Sequence, residues 1–564
     1  MAHPPEFSFR TRAKNLATLS EECFDLLVIG GGITGAGIAR DAALRGLQVA
    51  LVERRDFAAG TSSRSSKLIH GGLRYLQQGD VALVMEAAHE RRALRRLVPH
   101  LARPLQVLFP VRSRSSYATI SAGLWTYDRM ARVLKEERNQ MLGRNETLGL
   151  EPLLRADRVY GAGLYYEYLT DDARLVIENV KSAAALGAVV VNYTLVTQLV
   201  SDGGRLSAAV IRDALSDTEL SVRAKVIVNA AGPWVDAVRL MEGNGERPRL
   251  HLTKGIHLVL PRERLNVSRL VVMSTPDKRS VFAIPRDNIV YLGTTDTDYE
   301  GRYDDPSITL NDVNYLLDAA NTTFDVDRLG LDDIVGAWAG LRPLLHQEGK
   351  KATEISRKDE VMVGSTGLLS IAGGKLTTYR KMAERVVDMV VERLAKQGER
   401  APEKKGDSNT QTLSGGDTGD DVAAFAQRLK TRWPQVPADI VERLVHVYGS
   451  NGERMVEVMA GDPSLAQRCI SGMAVTHAEV AYAVREEMVL TLQDFLERRA
   501  RLFLWDTNNG LTLAPHVARL MGDLLGWDAR TADAELADYQ RHVREVKTFS
   551  PTLEAAPPPQ VAHA

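Results

Sequence analysis

Cysteine is nearly absent from this 564-residue chain, with Cys23 and Cys469 its two copies. Two thiols make neither a disulfide framework nor a cysteine metal cluster, so a reducing compartment is expected. A charge excess is missing as well. With 71 basic and 72 acidic residues, the chain lacks the basic surplus of a nucleic-acid binder. No apolar run of about 18 residues is present, so nothing is expected to span a bilayer. The opening MAHPPEFSFRTRAKNLATLSEE has no apolar heart like that of a secretory signal. The histidines show no HExxH and no paired metal spacing, and no metal site is expected. DTDYEG (296–301) starts like an EF-hand loop, but its twelfth position is Ser307. Without a bidentate glutamate there, it reads as a solvated turn.

What is present is a long chain with 44% hydrophobic and 25% charged residues, which fits a soluble globular protein of two or more domains. Residues 24–53 run from FDLLVIG through a Gly-rich turn and a helical stretch to a second apolar run. That is a βαβ unit opening a parallel sheet. A helical pattern runs from Val81 to Val98, with Arg91, Arg92, Arg95 and Arg96 on one side. GAVVVNYTLVTQLV (187–200) and AKVIVNAAGPW (224–234) read as further buried strands. LHLTKGIHLVL, SVFAIPRDNIVYLGTT and LLSIAGGK suggest a second, mixed or antiparallel sheet. The polar span 401–421 reads as a linker. Residues 422–550 are helical in period, and 551–564 form a tail expected to be disordered.

The turn GGGITGAGIARDAALRG supplies G-x-G-x-x-G through Gly30, Gly32 and Gly35, with Gly31 and Thr34 between them. The glycines serve a tight turn, backbone approach to a pyrophosphate, and helix–strand packing. The helix start then faces the phosphates with N–H groups and the positive end of its dipole. Glu53 ends the next strand, placed to accept ribose hydroxyls. The cofactor is an adenine dinucleotide, FAD or NAD. Segments farther along the chain bear on the choice. The βαβ run is interrupted by GTSSRSSKLIHGGLRY (60–75), and two later turns come after strands. One is NAAGPWVD, with Ala230, Gly232 and Trp234; the other is IAGGKLTTYRKMAE, with Gly373, Gly374, Lys375, Leu376 and Thr377. That last helix start, with the charge of Lys375, suits the pyrimidine end of a flavin, where negative charge collects on reduction. A capped helix with a solvated lysine would read the same.

With these segments in view, the chain resembles the FAD-dependent, respiratory-type glycerol-3-phosphate dehydrogenases of the D-amino-acid-oxidase-like flavoprotein superfamily. The resemblance rests on VIGGGITGAGIARDAALRG, DFAAGTSSRSSKLIHGGLRYL, YLTDDARLV, NAAGPWVD, TKGIHLVL, GTTDTDY, WAGLRPL, EISRKDE and AGGKLTTYRKMAE. It implies an α/β fold: a Rossmann-like FAD-binding domain, a mixed-sheet substrate domain and a C-terminal all-α cap. The expected layout is an N-terminal extension (1–23), then the FAD-binding domain (24–400) interleaved with substrate segments at 80–165 and 250–340. The linker, the helical domain and the tail complete it.

The implied reaction oxidises sn-glycerol 3-phosphate to dihydroxyacetone phosphate, with electrons passing from non-covalent FAD to a membrane quinone. Thr61, Ser62, Ser65 and Ser66 would hold the ribityl and phosphate chain, while Lys67, Leu68, His70 and Gly72 would line the ring. Arg74, Tyr75, His257, Arg342 and Arg357 are the candidate substrate ligands, since arginine forks match phosphate oxygens. His70 is the favoured proton acceptor and His257 the second choice. Arg342 and Lys375 complete the catalytic set. The stretch 112–138 carries Leu124, Trp125, Met130, Val133 and Leu134 among cations. It reads first as a core-facing helix and second as an interfacial one. Expected partners are the substrate, a quinone, a membrane surface met peripherally on its cytoplasmic face, and a second copy in a homodimer; nucleic acid is not among them. Three alternatives stay open: an oxidase passing electrons to O2, an amine or 2-hydroxy-acid oxidase, and a flavin-binding module without turnover.

Overall fold

The fold is that of a computed structural model describing residues 7–70, 81–131, 133–243, 248–277, 279–346, 359–399 and 406–551. The first sheet is built on Cys23–Ile29, which pairs in parallel with Val49–Val52 on one side and Glu219–Asn229 on the other. Val189–Val191 and Leu369–Ala372 extend it in parallel, and Glu360–Val363 closes one edge antiparallel. The central strands are short and apolar because both faces are covered. Alternate residues go to opposite sides. Leu26 and Val28 pack under the helices Ile33–Leu44, Asp172–Ala185 and Tyr379–Lys396. Leu27 and Ile29 pack beneath the N-terminal helix Phe9–Glu21 and the hairpin Thr194–Asp202/Arg205–Asp213. Each fully buried aliphatic side chain contributes about 1.5–3 kcal/mol.

Two strand expectations change. The segment 187–200 is two strands, because Tyr193 turns the chain at φ 55° between Val191 and Thr194. LLSIA belongs to the first sheet rather than the second, since Leu369 and Ser370 pair in parallel with Val228 and Asn229. That pairing carries the turn after Ala372 to the same carboxyl edge as the Gly30 turn, where open α/β sheets place their ligands.

The second sheet is mixed. Leu250–Pro261 pairs antiparallel with Gly336–Leu345 and with Ile289–Gly293. The order continues through Ser280–Arg286, Leu270–Ser274, Arg103–Val111 and Gly161–Leu169 to the two-residue edge strand Leu68–Ile69. Leu270–Ser274 and Arg103–Val111 supply its parallel pair. Leu68–Ile69 docks on Leu169 and Tyr168, so the hydroxyl-rich loop bridges the two sheets.

The C-terminal residues form helices from Val422–Arg432 to Ala529–Val546. They share a core with the second sheet: Phe495, Phe503 and Val517 belong to one cluster with Leu68, Val259, Tyr291 and Trp338. The described part of the connecting span is tied down. Arg40 donates to the Gln411 carbonyl at 2.6 Å, Leu413 N–H to Leu97 O, and Ser414 N–H to the Ser182 hydroxyl.

Candidate active site

Backbone contact shapes the Gly-rich turn. Gly30 holds φ 109°, and a Cβ there would lie 2.7 Å from the Ala230 carbonyl oxygen. A Cβ on Gly35 would stand 1.9 Å from the Gly30 oxygen. Hydrogen alone fits at both positions, so helix and strand meet at backbone distance. At Gly32 a Cβ would fill the space before the helix, 3.2 Å from the Ser62 hydroxyl. That hydroxyl accepts from Ile33 N–H at 2.9 Å, marking an N–H start suited to a phosphate.

Glu53 is fixed by accepting from Gly31 N–H at 2.7 Å and Arg55 N–H at 2.9 Å. Burial raises its carboxyl above the ordinary range, and those two donors oppose the rise. The cradle thus has the parts a dinucleotide needs: hydrogen-only approach, an N–H-lined helix start, and an acceptor at the second strand's end. Ala230 continues from Asn229 with its N–H on the Ile29 oxygen. Gly232 turns at φ 57°. Trp234 lies under Gly60, whose Cβ would meet the indole at 3.1 Å, and under the Arg54 guanidinium at 4.5 Å.

The loop after Gly60 is tied on both sides. Thr61 donates to the Leu341 carbonyl at 2.7 Å, beside Arg342. At its far end the His70 carbonyl accepts from the Thr377 hydroxyl at 2.7 Å. Gly373 and Gly374, at φ 80° and 82°, turn the chain into Lys375, Leu376 and Thr377, which lead into the helix Tyr379–Lys396. Segments far apart in sequence (the loop at 60–70, the strand around 342, the turn at 373–377) therefore converge.

Within the loop the side chains have distinct protein partners. The Lys67 ammonium is engaged by the protein itself. It is fully buried, 2.7 Å from Asp172 Oδ1 and 2.6 Å from the Ser63 carbonyl. Burial, opposed by Asp172, pushes it down to about 7. Ser65 likewise donates to Asp172 at 2.7 Å. Leu68 is a core side chain of the second sheet. Lys67 thus has a buried ion partner, and Leu68 belongs to an edge strand seated in the core.

His257 is also enclosed. Its Nε2 shares a 2.9 Å hydrogen bond with the Ser66 hydroxyl, and its ring stacks on Trp338 at 4.6 Å and 11°. Burial, then the charges of Lys67 and Arg342, hold it well below the usual histidine value, so the ring is neutral.

Arg342 is aimed by three acceptors: Asp296 Oδ1 at 3.0 Å, the Thr294 hydroxyl at 3.1 Å and the Thr295 carbonyl at 3.0 Å. Gly255 makes room for it, since a Cβ there would sit 2.2 Å from the guanidinium. The EF-hand-like segment is thereby accounted for: Asp296 serves Arg342, and Asp298 pairs with His251 at 2.7 Å. Gly72, Arg74, Tyr75 and Arg357 lie outside the described residues. Sequence reasoning misses Asp172, Asp296, Trp338 and Tyr291. Each lies in or beside a segment that carries the resemblance, but a buried partner has no local signature.

This architecture agrees with known proteins. Residues 25–380 match the family model "FAD dependent oxidoreductase", and residues 407–532 match "C-terminal domain of alpha-glycerophosphate oxidase". The aerobic glycerol-3-phosphate dehydrogenase of Bacillus subtilis is 42% identical over 532 residues, covering 93% of this chain and 95% of that protein. The chain belongs to the FAD-dependent glycerol-3-phosphate dehydrogenase family. Its Staphylococcus aureus member is 40% identical over 94% of this chain and 96% of its own length. The glycerol-3-phosphate dehydrogenase of Bacillus halodurans, solved in complex with FAD, superposes with a TM-score of 0.81 at 35% identity, covering 97% of this chain and 99% of that one. The L-alpha-glycerophosphate oxidase of Mycoplasma pneumoniae shares the fold at 20% identity and a TM-score of 0.55, over 70% of this chain and 99% of that one. FAD is accordingly the dinucleotide of the cradle, and NAD is set aside.

Proposed function

We propose that the chain oxidises sn-glycerol 3-phosphate to dihydroxyacetone phosphate and passes the electrons to a membrane quinone. The observation carrying this reading is the convergence of the 60–70 loop on both Arg342 and the Lys375 turn, through Thr61 and Thr377. This convergence supports a phosphate-matching guanidinium next to the segments expected to face the cofactor.

Bound FAD supplies a hydride-accepting ring. Arg342, held by Asp296 and Thr294, takes phosphate oxygens, with Arg74 and Arg357 as sequence candidates for the same anion. His70 takes the proton of the C2 hydroxyl. His257 is the poorer base, since its Nε2 is engaged with Ser66 and its environment opposes the imidazolium. Lys375 places positive charge where negative charge gathers. Gly30, Gly32, Gly35 and Glu53 hold the adenine half.

Anaerobic addition of glycerol 3-phosphate should bleach the flavin; an unbleached flavin removes the substrate assignment. His70→Asn should lower turnover by about 10²–10⁴-fold with flavin content unchanged. Near-normal turnover would instead return the role to another group.

The quinone reading is supported by exposed apolar side chains on two packed helices, Val81–Leu97 and Arg114–Ala131. Trp125 is 57% exposed and Met85 54%, with Arg129 over the Trp125 ring at 4.2 Å. No helix among the described residues is long and apolar enough to cross a membrane, and this surface has the character of a peripheral membrane contact. Trp125→Gln should release the protein from anionic vesicles while changing stability by less than about 0.5 kcal/mol. O2 as acceptor is the second reading, suggested by the oxidase description of the C-terminal family model. Oxygen uptake without a quinone analogue would establish it.

A further inference from the structure

The C-terminal helical region brings together three side chains that the flavin site does not use. Cys469 and His477 stand on the two arms of a turn closed by Cys469 N–H to Val475 O at 2.8 Å and His477 N–H to Gln467 O at 3.0 Å. An antiparallel bridge between Arg468 and Thr476 locks the arms in register. His477 opens the helix His477–Glu486, and His516 lies in the first turn of Ala514–Leu525. Val480, Val484, Val517 and Met521 seal those two helices together in one core.

The outcome is a converging donor set. One ligand atom from each of Cys469, His477 and His516 lies within 4.8 Å of the others. The two imidazoles already meet at 2.8 Å, Nε2 to Nε2. Cys469 is buried, whereas both rings are half-exposed and open to an incoming ion.

We propose that Cys469, His477 and His516 form a zinc-class metal site with one thiolate and two imidazole ligands. Donor chemistry sets the class. The set holds sulfur and nitrogen without a carboxylate, which suits Zn2+ and disfavours Mg2+ and Ca2+. Geometry agrees with it. Zinc bonds of about 2.0–2.3 Å in a tetrahedron put ligand atoms roughly 3.3–3.6 Å apart. The imidazole pair would open by about half an ångström, and the sulfur, within 4.8 Å of the other ligand atoms, would approach them by at most about an ångström. As the sulfur–metal bond forms, the thiol proton leaves to solvent, and water completes the fourth position. The ion would pin the 467–477 turn to the helix Ala514–Leu525. No metal motif is legible in the spacing of these residues; tertiary packing assembles them.

The test uses the full-length holoenzyme after dialysis against a chelator. Zn2+ is titrated against a chromophoric competitor, and Co2+ is titrated with the absorption spectrum monitored. The expected result is a single Zn2+ per chain and a thiolate-to-cobalt charge-transfer band. Cys469→Ser and His516→Gln should each weaken Zn2+ by at least about 100-fold, beyond the cost of losing a supporting residue. Zn2+ should also raise the thermal midpoint of the parent protein and not of the variants. A Co2+ complex without a thiolate band overturns the proposal, and that arm needs no variant to fold. Zn2+ affinity unchanged in both variants, with flavin content retained, overturns it as well.

Discussion

The glycine cradle and the seam between the flavin domain and the C-terminal helices lie close together, yet opposite physics holds them. In the cradle, side chains are deleted so that backbone meets backbone at Gly30, Gly35 and Ala230. Directly beyond Glu53, Asp56 is fully buried between two arginines of the C-terminal region. Arg498 Nε lies 2.6 Å from it, and Arg499 contacts both its oxygens at 2.8 and 3.0 Å. Nearby, Arg174 pairs with Glu487 and Glu178, and Lys181 reaches Glu487 at 3.2 Å. Burial alone would raise the Asp56 carboxyl; Arg499 and Arg498 outweigh it and hold it below the ordinary value. The lesson is one of means. Both join distant parts of the chain, Gly30 to Ala230 and Asp56 to Arg498 and Arg499, but a missing Cβ acts by steric fit alone, whereas a buried charge also demands that its partner be kept.

The contrast can be broken at either end. The largest effect is expected in the cradle. Gly35→Val would drive a branched side chain into a carbonyl that a bare Cβ already meets at 1.9 Å. That exceeds ordinary overpacking of about 1–3 kcal/mol, and no folded flavoprotein should be recovered, as judged by flavin content and circular dichroism. At the seam, Asp56→Ala removes the carboxylate that two buried guanidiniums share, leaving Arg498 with Asp494 and Glu497 and Arg499 with Glu487, and should cost about 3–5 kcal/mol in denaturant unfolding. A cost under about 1 kcal/mol for Asp56→Ala would mean the seam is not held by its charges.

The smallest effect is expected outside both regions, at His257. Below its ordinary value of 6.5 the unfolded ring takes up a proton that the folded ring refuses. Its contribution is therefore present above that pH and lost as pH falls, at about 1.4 kcal/mol per pH unit. His257→Gln, which can still reach Ser66, should flatten the stability curve on the acid side by that slope. His100, held down to about 3 by burial and then by Arg174, leaves a second proton's slope in both proteins.

Much of the site is legible in the sequence because its signals are local. G-x-G-x-x-G, the acid ending the second strand and the Gly-Gly-Lys turn are short-range patterns, and the fold keeps each where its pattern implies. Sequence reading goes astray where a residue's role depends on a remote partner. Nothing in the sequence around Lys67 points to Asp172, its buried partner. LLSIA looks like part of the substrate sheet until its parallel pairing with Glu219–Asn229 is seen. His257 is legible as a strand histidine, but its Trp338 stack and Ser66 bond are not.

By itself, then, the sequence determined the dinucleotide cradle, the α/β class and the helical C-terminal region, because backbone sterics and hydrophobic period act over a few residues. Tertiary structure alone decided which charges are buried as pairs, which sheet receives each late strand, and that Cys469 meets His477 and His516. Those outcomes depend on long-range packing and on desolvation, which exist only once the chain has closed on itself.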